Sequence, residues 1–354
     1  MVDKNNFDKE QVVVVTIKDR NFQYSVAEVI SLVENLHAEV IMTITMHRDS
    51  FSNATYLGKG KIEEVSQVIK EFNVETIVIN DNISPLQKQA LEEQLKCKVL
   101  DRTEIILSIF SARASSKEAQ LQVELAELQY LSPRLTRMWG HLSRQKGGIG
   151  MKGIGEKQLE TDKRVLRKKV SKLKDELKKV KENRSLLRKK RMMSNTPVVS
   201  LVGYTNAGKS TMFNYFKGKE VFAKDQLFAT LDTITKKVSY ENAEFYIVDT
   251  VGFINNLPHF LIESFKATLE EVMLSDLLIH VVDASSKQLT QQIKAVYEVL
   301  HELGIDEKPM ITVYNKIDLV KEKEILPENG LHVSLKTGEN LDLLVKKILE
   351  KIKR

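Results

Sequence analysis

The sequence predicts an α/β protein, with a doubly wound parallel sheet preceded by a small α/β domain and a long antiparallel helical hairpin. Short β-branched runs alternate with amphipathic stretches up to about residue 110, and the same alternation returns from Val198 to the end. Between them lies a lysine- and arginine-rich segment whose apolar residues keep a heptad rhythm. These changes of pattern set the expected domains at 1–115, 116–193 and 194–354, and 354 residues is enough chain for two or three of them.

In the first domain, residues 12–17, 40–45, 76–80 and 98–100 read as strands, and 25–36, 61–72 and 85–95 as helices. Ser84 suits the N-cap of the last helix, since its hydroxyl can accept an otherwise unpaired amide. Pro85 at the first helical position gives up no bond. Tyr56, Leu57, Gly58, Lys59, Gly60 and Lys61 form a glycine- and lysine-rich turn that starts a helix, with anion binding as the alternative reading.

In the second domain, Leu121, Leu125, Leu128 and Leu135 fall at helical spacing. A second helix, from about Lys157, carries Leu159, Leu166, Val170, Leu173, Leu177, Val180 and Leu187 on one seam with cations between them. The intervening tip, 144–155, is rich in glycine, which lets backbone approach a surface closely. Residues 144–191 hold 19 Lys/Arg against 6 Asp/Glu, a local +13 in a chain of net +6, so the remainder carries −7. Such segregation points to a face for a polyanion, with a solvated lysine-rich helix as the alternative. Arg144, Lys146 and Lys152 at the tip are the candidate contacts.

Composition narrows the class further. Apolar residues make up 42% of the chain, ample for real cores, while 29% charged and 6% aromatic content indicates much exposed helix. Cys97 is the only cysteine, so no disulfide can form within the chain, as suits a reducing compartment. The N-terminus lacks a secretory pattern, and no apolar run reaches the ~18 residues a membrane span needs. The longest run, 274–282, reads as a buried strand. A cytoplasmic monomer without integral membrane contact is expected.

The third domain follows a linker at 194–197. Strands are expected at 198–202, 245–249, 277–283, 310–314 and 331–334, with helices from Lys209, at 289–303 and at 341–352. The first strand runs into Gly203, Tyr204, Thr205, Asn206, Ala207, Gly208, Lys209, Ser210 and Thr211. This is a phosphate-binding loop placed between a strand and a helix, as that chemistry requires. Loop amides and the helix N-terminus cradle a β-phosphate, Lys209 adds charge to the β- and γ-phosphates, and the Ser210 hydroxyl ligates Mg²⁺.

A second box decides the base. Asn315, Lys316, Ile317 and Asp318 follow an apolar strand, and the Asp318 carboxylate can accept from both N1–H and the 2-amino group of guanine. Adenine offers neither donor, so an unpaired carboxylate rejects it. Asn315 buttresses the loop, the Lys316 stem covers the ring, and Ser334, Leu335 and Lys336 supply a backbone donor to the guanine oxygen. Asp249, Thr250, Val251 and Gly252 end another strand: the aspartate holds Mg²⁺ through a water, and the Gly252 amide senses the γ-phosphate. Phe228, Ala229, Thr230, Leu231 and Asp232 form a mobile segment whose Thr230 hydroxyl completes the metal shell, in preference to Thr233 or Thr235. Order that depends on a γ-phosphate makes a switch. Together the boxes identify a GTP-binding, GTP-hydrolysing site on a P-loop GTPase sheet. Phe253 stands where many small GTPases carry a water-orienting glutamine, which implies slow intrinsic turnover and leaves no side chain assigned as catalytic. Asn206 either helps hold a monovalent cation or makes a loop hydrogen bond.

Over nearly its whole length the sequence resembles the HflX family of translational GTPases, in the Obg-HflX group. The matching motifs lie at 57–61, 120–128, 155–162, 203–210, 228–232 and 249–253. The resemblance implies the large ribosomal subunit and its rRNA as partner, stimulation of hydrolysis by it, and a part in splitting or rescuing stalled ribosomes under stress. A basic hairpin with a glycine tip suits rRNA held through its phosphates. This chain departs from the family pattern at Lys157 and at Thr233, where a proline is usual. Many members also carry a further C-terminal domain, whereas this sequence closes at Arg354. The alternative is a GTP-gated binding module for another RNA or a membrane surface, with hydrolysis incidental.

Overall fold

The protein is represented by a computed structural model that describes residues 9–18, 25–47, 51–138, 154–192, 196–218, 227–240, 243–255, 257–305, 307–321 and 326–352. By its contacts the chain divides into two compact units, one of residues 1–112 and 124–174, the other of 113–123 and 175–354.

The first unit is built on a four-stranded parallel sheet in the order β2-β1-β5-β6. Its elements are β1 (Gln11–Lys18), α1 (Ser25–Glu34), β2 (Glu39–His47), a small hairpin of β3 (Phe51–Ser52) and β4 (Tyr56–Leu57), α2 (Lys59–Phe72), β5 (Thr76–Ile79), α3 (Pro85–Leu95), β6 (Lys98–Asp101) and α4 (Arg102–Arg113). Val12 to Val15 are all buried, so β1 is covered on both faces, which is why it reads as an unbroken apolar run. Ser84 accepts from the Gln87 amide while Gln87 returns a bond to the Ser84 amide, a reciprocal cap of the kind that contributes about 1 kcal/mol. The 56–61 stretch supplies β4 and the start of α2, with Gly58 at the N-cap. Lys61 is committed to Glu64 at 2.6 Å and to the Thr45 carbonyl at 3.1 Å, so the helix-start reading of this turn accounts for it.

Helices α5 (Lys117–Met138) and α6 (Ile154–Met192) follow, and α6 starts before the expected Lys157. Lys169 pairs with Glu124 at 2.8 Å. Glu124 lies about as far before the end of α5 as Lys169 lies after the start of α6, as an antiparallel pairing would have it. Of the predicted seam, Leu173 is buried and Leu166, Val170, Leu177 and Val180 are half-buried; Leu159 and Leu187 lie outside the described side chains. Arg164, Arg167, Lys168, Lys169, Lys172, Lys174, Lys178 and Lys179 are exposed between them.

The second unit holds β7 (Val198–Gly203), α7 (Lys209–Phe216), β8 (Ile234–Tyr240), β9 (Ala243–Asp249), α8 (His259–Leu274), β10 (Leu277–Asp283), α9 (Leu289–Glu302), β11 (Met310–Asn315), a 3-10 turn at Ile317–Leu319, β12 (Leu331–His332) and α10 (Leu341–Ile352). Its six-stranded sheet runs β12-β11-β10-β7-β9-β8, parallel except for β8, which pairs antiparallel with β9 at the edge. Val199, Leu201, Phe245, Ile247, Ile279, Val281 and Val313 pack the core against Met212, Phe213, Leu344 and Ile348 from α7 and α10. Two expectations change here. Leu274 ends α8 and is exposed, and Ser275 and Asp276 separate it from β10, so the stretch 274–282 joins a helix end to a strand rather than forming one strand. The strand expected at 331–334 stops at His332.

Candidate functional site

The parallel strands β7, β9, β10 and β11 bring their C-terminal ends, at Gly203, Asp249, Asp283 and Asn315, to one edge of the sheet. Edges of this kind are where open α/β sheets take ligands. From Gly203 the chain turns through Tyr204, Thr205, Asn206 and Ala207 to Gly208, the N-cap of α7. Gly208 has φ +105°, and a Cβ there would collide with the Asn315 side-chain amide, so the position requires glycine. Asn206 sits at φ 62° with an exposed side chain, a backbone region asparagine tolerates. The leading amides of α7 have no carbonyl within the helix and form a ready anion cradle.

Lys209 is only 5% exposed, and its Nζ donates to the carbonyls of Gly203 at 3.0 Å and Tyr204 at 2.7 Å. Burial pulls its pKa down to about 8, an effect that the Asp249 charge opposes. Beside it, Ser210 Oγ lies 2.8 Å from Thr230 Oγ1, which donates to Asp249 Oδ2 at 2.8 Å. Burial pushes the Asp249 carboxyl above the ordinary range, against the pull of Lys209, Thr230 and Ser210. Its other oxygen, Oδ1, is buried without a hydrogen-bond partner among the described residues, as is Thr205 Oγ1. A chain of two hydroxyls and one carboxylate ending in an orphaned oxygen is a hard-donor set, of the type that suits Mg²⁺ when phosphates and waters complete the shell. Thr211 is half-buried on α7.

The second box adjoins the first through Asn315. Its Nδ2 donates to the Ala207 carbonyl at 2.9 Å, and its Oδ1 accepts from the Leu335 amide at 3.1 Å, so one buried side chain ties the phosphate loop to the segment after β12. Ser334 Oγ donates to Asp318 Oδ1 at 2.7 Å and accepts from the Thr337 amide at 3.1 Å. Asp318 and Lys336 are exposed at this edge, while Ile317 is buried beneath them. Lys316, at φ 64°, pairs its Nζ with Asp283 Oδ2 at 2.7 Å.

After β9, Thr250 donates its hydroxyl to the Leu201 carbonyl at 2.6 Å, and Val251 is buried. Gly252 packs so tightly that an added Cβ would stand 2.8 Å from Thr205 Cγ2 and 3.1 Å from Lys209 Nζ. Phe253 is buried and zipped to the loop: Thr205 N donates to Phe253 O at 2.8 Å, and Phe253 N donates to Gly203 O at 3.1 Å. The Tyr204 hydroxyl accepts from the Asn255 amide at 2.9 Å. In the 228–232 segment, Phe228 and Leu231 are buried, Ala229 is exposed, and Thr230 faces Ser210 and Asp249.

Asp232 is engaged elsewhere. Its carboxylate accepts from Ser115 and Ser116 at the start of α5, serines that carry no local motif of their own. Asp232 belongs to the predicted set, whereas Ser115, Ser116 and Asp283 do not; for Asp283 the position at the end of a strand on the ligand edge is the available signal. The tip residues Arg144, Lys146 and Lys152 lie outside the described residues.

Three family matches cover most of the chain. Residues 23–111 match a family described as GTP-binding GTPase N-terminal, 113–191 one described as GTP-binding GTPase Middle Region, and 198–316 one described as 50S ribosome-binding GTPase. A protein of Lacrimispora saccharolytica named GTPase HflX is 44% identical over 98% of this chain and 84% of its own length. The Escherichia coli protein of that name is 40% identical over 97% and 83%. Among solved structures, the GDP complex of a protein called SsGBP aligns at 25% identity and a TM-score of 0.54, covering 97% of this chain and 98% of that one.

Proposed function

This chain belongs to the HflX family of GTPases and binds and hydrolyses GTP; from that premise we propose which residues hold the nucleotide and that the GTP form docks on the large ribosomal subunit. On this reading Gly203, Tyr204, Thr205, Asn206, Ala207, Gly208 and the leading amides of α7 wrap the β-phosphate. Lys209 is held by carbonyls instead of a carboxylate, so its charge stays available to the phosphates. Its lowered pKa supports the same reading, because a buried cation gains most from an incoming anion.

Ser210 and Thr230 would hold Mg²⁺ directly, with Asp249 behind them, and the orphaned Asp249 Oδ1 is the observation that supports this. Bound there, the ion neutralises charge developing on the β- and γ-phosphates. Asp318, set by Ser334, accepts from guanine; Lys316, braced by Asp283, lies over the ring; Leu335 and Lys336 border the guanine oxygen. Gly252, packed against Thr205 and Lys209, would read the γ-phosphate through its amide. Asn206, exposed at positive φ, would either help hold a monovalent cation or make a loop hydrogen bond. Phe253, buried and apolar, stands where a water-orienting side chain would be, so intrinsic turnover would be slow and a partner would complete the site.

That partner is proposed to be the ribosome, in a role of splitting or rescuing stalled particles. The segregated charge of α6 carries the proposal: Leu173 is buried and Leu166, Val170, Leu177 and Val180 are half-buried, while the cations between them are exposed, as contact with a polyanion requires. The three parts then act as an N-terminal α/β domain at 1–115, a docking hairpin at 116–193 and a G domain at 194–354. Among the described residues no helix is long and apolar enough to cross a membrane.

The test is cosedimentation with purified large subunits in GTP, GDP and a non-hydrolysable analogue over a salt series. Binding is expected to favour the GTP forms, with affinity falling by about 0.7–0.9 powers of salt per phosphate contact. Replacing Arg144, Lys146 and Lys152 together with alanine should abolish stimulated hydrolysis and leave GDP affinity intact. Normal stimulation of that variant removes the tip from the docking surface. Absence of any subunit binding in all nucleotide states favours a module for another RNA or a membrane surface.

A further inference from the structure

The two serines at the start of α5 are the least expected neighbours of the nucleotide segment. Ser115 donates to Asp232 Oδ2 from its amide at 3.1 Å and from its hydroxyl at 2.6 Å. Ser116 donates to Oδ2 from its amide at 3.0 Å and to Oδ1 from its hydroxyl. Ser116 also caps the helix: its Oγ accepts from the Ala119 amide at 3.1 Å and its carbonyl from Gln120 at 3.0 Å. A carboxylate from far along the chain thus completes the N-terminus of α5, where the helix dipole and free amides favour negative charge.

Asp232 stands two residues after Thr230, whose flanks Phe228 and Leu231 are 1% and 2% exposed. The short segment is therefore pinned by two apolar anchors and one charged anchor, with the Thr230 hydroxyl between them. We propose that Ser115 and Ser116 are positioning residues for GTP hydrolysis: by holding Asp232 they keep the Thr230 hydroxyl beside Ser210 and Asp249. The proposal rests on the reading of Thr230 as a metal ligand. Coupling of this kind is reciprocal, so whatever orders Thr230 also caps α5, and the nucleotide state reaches the helix that opens the hairpin.

The test compares Ser115→Ala, Asp232→Asn, their double variant and Ser116→Thr in the full-length protein. Steady-state GTP hydrolysis and fluorescent-GDP titration are read for each. Ser115→Ala and Asp232→Asn are expected to lower kcat about tenfold, since each weakens bonds to a charged group. GDP affinity should stay within about twofold, because the phosphate loop and base pocket are untouched; this also reports that the variants are folded. The double variant should be no slower than the worse single one, since both break the same contact. Ser116→Thr keeps the hydroxyl and should retain parental kcat. Hydrogen exchange at the first-turn amides of α5 should be slower with a non-hydrolysable GTP analogue than with GDP, a difference that Asp232→Asn erases. Parental kcat in both single variants, or strict additivity in the double, overturns the proposal. Thr230→Ala at limiting Mg²⁺ separates the two failures. If it hydrolyses GTP like the parent, the metal-ligand reading is wrong. If it is impaired while Ser115→Ala is not, only the positioning role is wrong.

Discussion

Both units place polar side chains at the C-terminal edge of a parallel sheet, yet they use them in opposite ways. In the first unit the charged groups of the edge are paired with one another. Arg102 pairs with Glu28 and donates to Asn80 Oδ1 at 3.0 Å, and Asn80 donates to Thr16 at 3.1 Å. Asp101 accepts from Tyr130 at 2.6 Å and Arg134 at 3.0 Å, with the Arg134 guanidinium 3.3 Å over the Tyr130 ring. In the second unit Lys209 donates to two backbone carbonyls, Asp249 keeps a buried oxygen without a hydrogen-bond partner among the described residues, and glycine replaces bulk at Gly208 and Gly252. Charge matched by charge makes a scaffold; charge matched by dipoles, beside orphaned oxygens and glycine, makes a place for a ligand. Opposite outcomes arise from the same sheet edge because residue size and partner type differ.

The sharpest break of this comparison exchanges the consequences of losing a charge. Asp101→Ala leaves Arg134 and the Tyr130 hydroxyl facing a buried void, and uncompensating a buried pair costs about 3–5 kcal/mol. The urea midpoint should fall accordingly, with GDP affinity unchanged. Lys209→Ala should do the reverse. It removes a charge that burial already disfavours, though Asp249 loses its opposing charge, so the nucleotide-free protein should lose less stability than Asp101→Ala costs, while GTP and GDP affinity fall by about 3 kcal/mol, roughly a hundredfold. If Lys209→Ala unfolds the protein and Asp101→Ala does not, the distinction between scaffold edge and ligand edge is wrong.

How far the sequence disclosed these edges follows from the range of each signal. The loop from Gly203 to Ser210 and the Asn315–Asp318 box are local patterns, set by turn geometry and by chemistry within a few residues, and both were legible. So was the capped α3, whose Ser84, Pro85 and Gln87 all lie within one turn. Helix α4 was not, because Ile105, Ile106, Leu107, Ile109 and Phe110 are buried together and leave no one-sided apolar stripe to recognise. Strand β8, at the sheet edge, has only Val238 buried and two lysines in its middle, so it lacked the apolar look of its neighbours. The partnership of Ser115 with Asp232 spans 117 residues, and no local rule reaches that far.

A finer test stays within the ligand edge. Asp318 is exposed and accepts from Ser334 at one oxygen, which leaves acceptor capacity for guanine. Asp318→Asn replaces an acceptor by a donor where guanine offers donors. Guanine-nucleotide affinity should fall by about 10–100-fold and xanthine-nucleotide affinity should rise, with stability unaltered. Competition between GDP and xanthosine diphosphate for a fluorescent nucleotide reads both directions, and unchanged GDP affinity sinks the assignment of Asp318 to the base.

The smallest expected effect concerns Ser334, which sits on the boundary between the two uses of polar residues. Its side chain is wholly buried, like those of the scaffold edge, but its hydroxyl serves Asp318 at 2.7 Å and accepts from Thr337 N at 3.1 Å. Ser334→Ala removes both bonds without adding bulk. The Thr337 amide loses its acceptor, and Asp318 loses the donor that orients it, but Asp318 stays exposed and can exchange that donor for water. The net loss should therefore be about 1 kcal/mol in stability and a similar amount, about fivefold, in GDP affinity. If Ser334 belonged only to the scaffold, stability would fall and affinity would not. If it contacted guanine itself, the affinity loss would approach that of Asp318→Asn. A loss of about fivefold, together with retained preference for guanine over xanthine nucleotides in the same competition assay, places Ser334 one step behind the base, as the carboxylate's support.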